Sequence, residues 1–210
     1  MPDASTIALF VSASIVLLIV PGPTIALVIL RSLSDGRRNA LPLVLGVGLG
    51  DLVAASIALA GAGALLAASA AAFTAVKLIG ACYLVWLGIK LFRAMPAPPQ
   101  ADGAAPVGSA GAAFRDGFLV TVFNPKGILF FIAFVPQFIR PDAGYLRQAA
   151  FFVLVFTALA LANGAAYAVG ADAMRRVIGR ADVLRWMNRA GGAAIAAAGI
   201  AALFTRRPAL

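Results

Sequence analysis

The 210-residue chain is too apolar for an ordinary soluble domain, because 62% of its residues are hydrophobic, 12% are charged and its mean hydropathy is +0.98. Its net charge of +9 comes from basic residues scattered along the chain, so the charge does not indicate a nucleic-acid surface. A single cysteine, Cys82, excludes an internal disulfide, and the absence of histidine removes the commonest metal ligand and proton shuttle. The composition predicts an integral membrane protein.

Six apolar windows are each long enough for a membrane-spanning helix, which needs roughly 20 residues. They cover residues 5–30, 41–65, 67–92, 115–139, 146–171 and 187–205. These windows are continuous, whereas spanning strands would need alternating segments of about 10 residues. The first window has no Lys or Arg before it and no small-residue cleavage site, so it is interpreted as a retained span and not a signal peptide. The predicted fold class is all-α, with six transmembrane helices.

Basic residues set the predicted orientation. Assigned to alternate loops, eleven of them fall on one side, including Arg37, Arg38, Lys90 and Arg189, and five fall on the other. Cytoplasmic loops carry the excess of Lys and Arg. We therefore predict that the connections 1–2, 3–4 and 5–6 are cytoplasmic and that both termini are periplasmic.

Two of the windows contain residues that interrupt a helix. The interruptions are Pro21-Gly22-Pro23 in the first window and Asn124-Pro125-Lys126 in the fourth. A proline inside a helix costs about 3 kcal/mol, and irregular backbone at membrane depth persists only where protein buries it or water lines it. A helix that restarts after such a break presents N–H groups suited to a carboxylate. We predict that helices 1 and 4 are broken, with a simple proline kink as the alternative for either one alone.

The two halves of the chain share a pattern that indicates an internal repeat. A Pro/Gly/Ala-rich stretch at 94–113, predicted to be a cytoplasmic linker, separates residues 1–93 from residues 114–210. Asp51, the deep acidic residue of span 2, precedes Asn163, the deep polar residue of span 5, by 112 positions. Three spans per half is an odd number, so the second half must be inverted relative to the first. Such 3+3 inverted repeats are typical of secondary transporters that work by alternating access.

Asp51 and Lys126 are ionisable residues expected deep in the spans, where each costs about 2.5 to 3.5 kcal/mol, so each needs a cavity or a partner. In one interpretation the two charges pair and anchor the fold. In the other, Asp51 binds a proton or an ammonium group, while Lys126 or the helix ends bind a carboxylate. Asn163 would hydrogen-bond the substrate or the broken backbone. The predicted substrate-binding set, near the middle of the membrane, is Pro21, Gly22, Pro23, Thr24, Asp51, Asn124, Pro125, Lys126 and Asn163.

Three blocks in sequence order resemble the signature of the LysE/RhtB family of amino-acid exporters. They are PGPTIALVILRSLSDGRRNALPLVLGVGLGD, FTAVKLIGACYLVWLGIKLFR and GFLVTVFNPKGILFFIAFVPQFI. The resemblance implies export of amino acids or close derivatives across the bacterial inner membrane, driven by the proton gradient. It carries over both interrupted motifs, Asp51 and a small-residue stripe at Gly46 and Gly50, and it is closer to the branch that handles neutral amino acids such as homoserine, threonine or leucine. Thr24 departs from the Asn that this branch often has, so substrate identity stays open.

Rival functions fit these residues less well. Membrane thiol–disulfide relays need redox cysteines in spans 1 and 4, whereas Cys82 lies in span 3. An intramembrane hydrolase needs a nucleophile with a base or paired aspartates, so we predict no enzymatic activity. An exporter of divalent cations or of another small metabolite is the remaining alternative, although one deep carboxylate makes a poor cation cage.

The predicted partners are an amino-acid substrate, protons and the lipid bilayer, without nucleic acid. The sequence contains no cofactor motif and no predicted metal site. The stripe at Gly46 and Gly50 permits a homodimer as readily as packing within the chain.

Overall fold

The computed structural model describes residues 2–36, 40–94, 109–140, 144–171 and 180–204. These residues form helices and no strand, which confirms the all-α prediction for this part of the chain. The helices are α1 (Ala4–Ile19), α2 (Pro23–Asp35), α3 (Leu41–Ala68), α4 (Ala70–Arg93), α5 (Ala110–Val122), α6 (Pro125–Ala133), a 3₁₀ turn (Val135–Phe138), α7 (Tyr145–Val169) and α8 (Ala181–Phe204). Positions 95–108 of the predicted linker, together with Arg37 and Arg38, lie outside the described residues. The last residues of the predicted linker already belong to α5.

Several of these helices are apolar enough for a membrane. Within the described ranges, Leu41–Ala64 of α3 and the whole of α7 are long and apolar enough to cross one. The pairs α1–α2 and α5–α6 also qualify if each counts as a single bent span, and their bends are 56° and 48°. A helix satisfies its own backbone hydrogen bonds, which a lipid environment requires. The chain is therefore a membrane protein.

Proline and asparagine fix where the chain stops and restarts. Pro23 and Pro125 each occupy the first turn of a new helix, where the missing N–H of proline leaves no hydrogen bond unmade. Asn124 caps α6 because its side-chain oxygen accepts from the Lys126 N–H at 3.1 Å. Gly22 is the N-cap of α2 and supplies no side-chain cap. The α1–α2 junction (Val20–Gly22) and the α5–α6 junction (Phe123–Asn124) follow from these residues.

An aromatic core joins α1 to the second half of the chain. The side chains of Phe10 in α1, Phe131 in α6 and Phe152 in α7 are fully buried. The ring centroids of Phe10 and Phe152 lie 4.7 Å apart, as do those of Phe131 and Phe156. Tilted and edge-to-face pairs at this distance are favourable beyond the area they bury. This core holds α1 against α6 and α7, and so places the two junctions near each other.

Small residues let helix backbones touch along two seams. On α3, Gly46 faces the Phe114 carbonyl of α5, and Gly50 faces the Phe118 carbonyl. At the second seam, Gly192 of α8 lies against the backbone of α4. Close approach through small residues is a main source of helix association in membranes. The stripe at Gly46 and Gly50 is therefore used for packing within the chain.

Gly192→Ala is expected to destabilise the α4–α8 seam. The added Cβ would lie 2.5 Å from the Gly88 carbonyl oxygen and 2.6 Å from the Phe92 nitrogen, both of them backbone atoms. Overpacking of this kind costs about 1–3 kcal/mol of unfolding free energy, which should lower the thermal unfolding midpoint in detergent. Gly61→Ala is the matched control, since a Cβ there meets nothing within 4 Å. Equal midpoints for the two variants would contradict the packing at this seam.

Candidate functional site

A cavity that opens to solvent lies where the α1–α2 and α5–α6 junctions meet α3 and α7. Much of its wall is apolar, with Val47, Phe156 and Ala160 among the contributors. Its polar lining consists of Thr24, Asp51, Thr121, Asn124, Lys126 and Asn163. A mostly apolar pocket with a few convergent polar groups is the usual form of a small-molecule site.

The fold brings most of the predicted site residues to this cavity. Gly22, Thr24, Asp51, Asn124, Lys126 and Asn163 all line it. The three prolines of the predicted set, Pro21, Pro23 and Pro125, are not among the lining residues. They shape the junctions that form the cavity wall.

The two prolines of the α1–α2 junction determine which carbonyls of α1 lack a partner. In a continuous helix, the N–H groups of residues 21 and 23 would donate to the carbonyls of Leu17 and Ile19. Proline has no N–H, so both carbonyls must find another donor. The second half of the chain supplies these donors.

Lys126 provides the first donor. Its Nζ donates to the Leu17 carbonyl and, at 3.0 Å, to the Val20 carbonyl. The C-terminus of a helix carries a partial negative charge, which favours a cation there. Lys126 and Asp51 are close enough to interact electrostatically, but among the described residues they form no direct ion pair. The interpretation in which the two charges pair directly does not hold in this structure, because Lys126 binds the end of α1 instead.

Tyr167 of α7 provides the second donor, and Asn163 of the same helix adds a bond to the carbonyl between the two. Asn163 Nδ2 donates to the Leu18 carbonyl at 3.2 Å, and the Tyr167 hydroxyl donates to the Ile19 carbonyl at 2.8 Å. Asn163 therefore bonds the interrupted backbone, one of its two predicted roles. Three side chains of the second half thus hold the C-terminal turn of α1.

Asp51 has a different environment. Asp51 is 8% exposed and lines the cavity. Within the described part of the chain, the Asp51 carboxylate accepts no hydrogen bond. A buried carboxylate without a hydrogen-bond partner is costly, so an ionisable residue of this kind in a membrane helix is a candidate functional position. Asp51 is thus a buried carboxyl group available to a cation in the cavity.

The two restarting helices differ at their N-termini. Asn124 uses its side-chain oxygen to cap α6 and its Nδ2 to donate to Thr24 Oγ1 at 3.3 Å, which joins the two junctions. At α2 no side chain caps the first turn. Since the first N–H groups of a helix bind anions readily, the N-terminus of α2 is the better candidate for a carboxylate.

The rise of an α-helix gives the position of Asp51 along α3 and of Asn163 along α7. Asn163 is about 9 Å from the end of α7 at Val169 and about 27 Å from its start at Tyr145, by the rise of an α-helix. Asp51 is about 15 Å from the start of α3 at Leu41 by the same rise. At about 1.5 Å per residue, Asp51 lies about 2 Å from the middle of Leu41–Ala64, and Asn163 lies about 9 Å from the middle of α7.

Sequence reasoning missed two residues of the cavity region. Tyr167 follows Asn163 by one helical turn, so both side chains lie on the same face of α7. This spacing is the sequence signal that identifies Tyr167 as a neighbour of Asn163. Thr121 precedes Asn124 by three residues and lies in the last turn of α5, yet nothing in its type or spacing separates it from a packing residue.

The family of the chain follows from comparison with known proteins. Residues 15–206 match the family model described as LysE type translocator. The chain belongs to this family. As a LysE type translocator it is a membrane transport protein, in agreement with its apolar helices.

Individual relatives extend over most of this translocator. The threonine efflux protein of Escherichia coli strain K12 is 29% identical over 196 residues, which cover 91% of this chain and 94% of the relative. The leucine efflux protein of Klebsiella pneumoniae is 30% identical over 148 residues, which cover 70% of this chain and 69% of the relative. An uncharacterized membrane protein of Synechocystis is 31% identical over 198 residues, which cover 93% of this chain and 94% of the relative. No solved structure gives a significant match.

Proposed function

We propose that this LysE type translocator exports small neutral amino acids or close derivatives from the cytoplasm across the bacterial inner membrane. Relatives named as threonine and leucine efflux proteins support an amino-acid substrate. The observation that carries the proposal is the cavity, which combines an unpartnered buried carboxylate at Asp51 with the uncapped N-terminus of α2. These two features complement the two charges of an amino-acid zwitterion.

Each end of the zwitterion has its own partner in this proposal. The ammonium group binds Asp51, and the carboxylate binds the first backbone N–H groups of α2, at Thr24 and Ile25. The apolar walls formed by Val47 and Phe156 receive a small uncharged side chain. Two of the three N–H donors of the Lys126 ammonium group hold the end of α1, so this arrangement assigns the carboxylate to α2 and not to Lys126.

We further propose that α1–α2 and α5–α6 are broken spans of two inverted three-helix halves, residues 1–93 and 114–210, with α4 and α8 as spans 3 and 6. The equivalent helices α3 and α7 pack antiparallel, since Gly48 faces Leu161 whereas Gly63, farther along α3, faces the earlier Tyr145. A repeat without inversion would make them parallel. In this proposal the halves rock about the cavity to give alternating access, and both termini are periplasmic.

The proton gradient drives export in this proposal. Asp51 is a buried carboxylate beside the proposed substrate, so it is suited to bind either the ammonium group or a proton. A proton and the ammonium group would use the same carboxylate oxygens, so Asp51 binds only one of them at a time in this proposal.

Counterflow in proteoliposomes tests the proposed substrate class. Purified protein is reconstituted into vesicles loaded with one unlabelled amino acid, and uptake of the labelled amino acid is measured across a panel. Neutral amino acids with small side chains are expected to accumulate transiently, and empty vesicles should show no accumulation. Failure with every amino acid, together with transport of a divalent metal ion, would overturn the proposal.

A further inference from the structure

Thr121 carries a buried hydroxyl group that the packing of the protein does not use. In the described part of the chain, four buried hydroxyl groups have no hydrogen-bond partner, namely those of Ser14, Ser32, Thr121 and Thr157. Thr121 alone among these four lines the cavity. A buried hydroxyl without a partner is unfavourable, because it loses its hydrogen bonds to water and gains none in return.

The position of Thr121 is enforced by its neighbours. Its residue is 3% exposed and lies in the last turn of α5, before the α5–α6 junction. On α3, a Cβ added to Gly50 would lie 2.8 Å from the Thr121 Cβ. The glycine therefore lets Thr121 pack against α3 at the residue directly before Asp51. A threonine in a helix commonly bonds the carbonyl four residues earlier, but Thr121 does not, so its oxygen is left for another partner.

We propose that Thr121 Oγ1 is a substrate-binding group that accepts a hydrogen bond from the ammonium group held at Asp51. A primary ammonium group has three N–H donors, and one carboxylate at the end of a side chain leaves at least one of them to be satisfied. The Asp51 carboxylate and the Thr121 hydroxyl together select substrates with a primary amino group over analogues that are methylated on nitrogen. This inference rests on the proposed export of amino acids, and it adds a second group that binds the ammonium nitrogen of the substrate.

Thr121→Val tests the role of the hydroxyl with little change in shape. In proteoliposomes, Thr121→Val is expected to raise KM about tenfold for every transported amino acid, as the loss of a hydrogen bond to a charged group predicts. Thr121→Ser keeps the hydroxyl and should restore KM to within about threefold of the wild type. Thr157→Val is the matched control, since it removes another unpartnered buried hydroxyl that does not line the cavity, and its KM should stay at the wild-type value.

Substrate analogues give an independent readout on the unaltered protein. The wild type should transport the N,N-dimethyl analogue of its best substrate poorly, and Thr121→Val should narrow the difference between parent and analogue. Thr121→Ala is a second hydroxyl-free variant for use if the valine variant does not fold. The inference is overturned if the hydroxyl-free variants match Thr157→Val in KM, or if the wild type transports parent and dimethyl analogue equally. In either case amino-acid transport by the wild type would still stand, whereas failure of the proposed function would appear as no transport of any amino acid.

Discussion

Replacement of Asp51 by asparagine is expected to lower kcat/KM for amino-acid export by about 10- to 100-fold, the range that corresponds to losing a hydrogen bond to a charged group. Asparagine keeps the size of the side chain but removes the negative charge, so the ammonium group of the substrate loses its partner in the cavity. The measurement is efflux of a labelled amino acid from preloaded proteoliposomes, with the substrate chosen by counterflow.

Asp116→Asn is the control for the Asp51 variant. Asp116 lies on α5, its side chain is 44% exposed and it pairs with Arg115 at 3.1 Å, so its charge is on the surface. Exposed pairs of this kind contribute little, and export by the control should match the wild type. Wild-type export by Asp51→Asn, or an equal loss in both variants, would contradict the assignment of Asp51 to the substrate.

The Asp51→Asn variant also separates substrate binding from proton coupling. Residual export by Asp51→Asn is measured with and without an imposed proton gradient. If it remains fully dependent on the gradient, another group carries the proton and Asp51 only binds substrate. If the dependence is lost while exchange persists, Asp51 carries both functions.

Lys126→Met is expected to have the largest effect on stability. It keeps an unbranched side chain of similar length but removes the ammonium group that bonds the Leu17 and Val20 carbonyls. Leaving such carbonyls unsatisfied in a membrane protein should cost about 3 kcal/mol of unfolding free energy. Export should fall as well, because the end of α1 forms part of the cavity wall. The measurements are the thermal unfolding midpoint in detergent and efflux from proteoliposomes.

Lys90→Met is the matched control for Lys126→Met. Lys90 is exposed at the end of α4, and its Nζ lies 4.9 Å from the centroid of the Trp86 ring. Loss of an exposed cation–π contact costs about 0.5–1 kcal/mol, so the midpoint should change little. A drop for Lys90→Met as large as that for Lys126→Met would mean that the bonds to α1 do not account for the effect.

Much of the helical architecture was predictable because it depends on local sequence. Apolar windows of spanning length predicted helices, and Pro23 and Pro125 mark where new helices begin. The polar residues of the cavity were also recognisable, since Asp51 and Asn163 are rare side chains in apolar surroundings. Their cost in lipid is high enough that a functional or structural reason was expected for each.

The partner of each polar residue was not predictable from sequence. Lys126 had two plausible partners, Asp51 and a substrate carboxylate, and its actual partners are backbone carbonyls of α1. Every residue has a backbone carbonyl, so the sequence does not mark which carbonyls accept from Lys126. Only the packing of α6 against α1 identifies them. Thr121 was missed for the same reason, since its importance lies in an unmade hydrogen bond and not in its type.

The prolines of the α1–α2 junction have a second effect beyond restarting a helix. Pro21 and Pro23 remove the N–H groups that would serve the Leu17 and Ile19 carbonyls, and Lys126 and Tyr167 then supply the donors. The junction therefore links the two halves through hydrogen bonds as well as forming the cavity wall.

The most direct test of the central claim is substrate protection of a cysteine placed in the cavity. Cys82→Ser removes the native thiol, and Gly22→Cys then adds one at a lining position where a side chain meets nothing within 4 Å. A transported amino acid at about ten times its half-saturating concentration should slow maleimide labelling about tenfold. A non-transported amino acid, or the same experiment with Ser5→Cys at the exposed start of α1, should show no protection. Unchanged labelling of Gly22→Cys by an amino acid that the same variant transports would contradict the claim that this cavity is the substrate site.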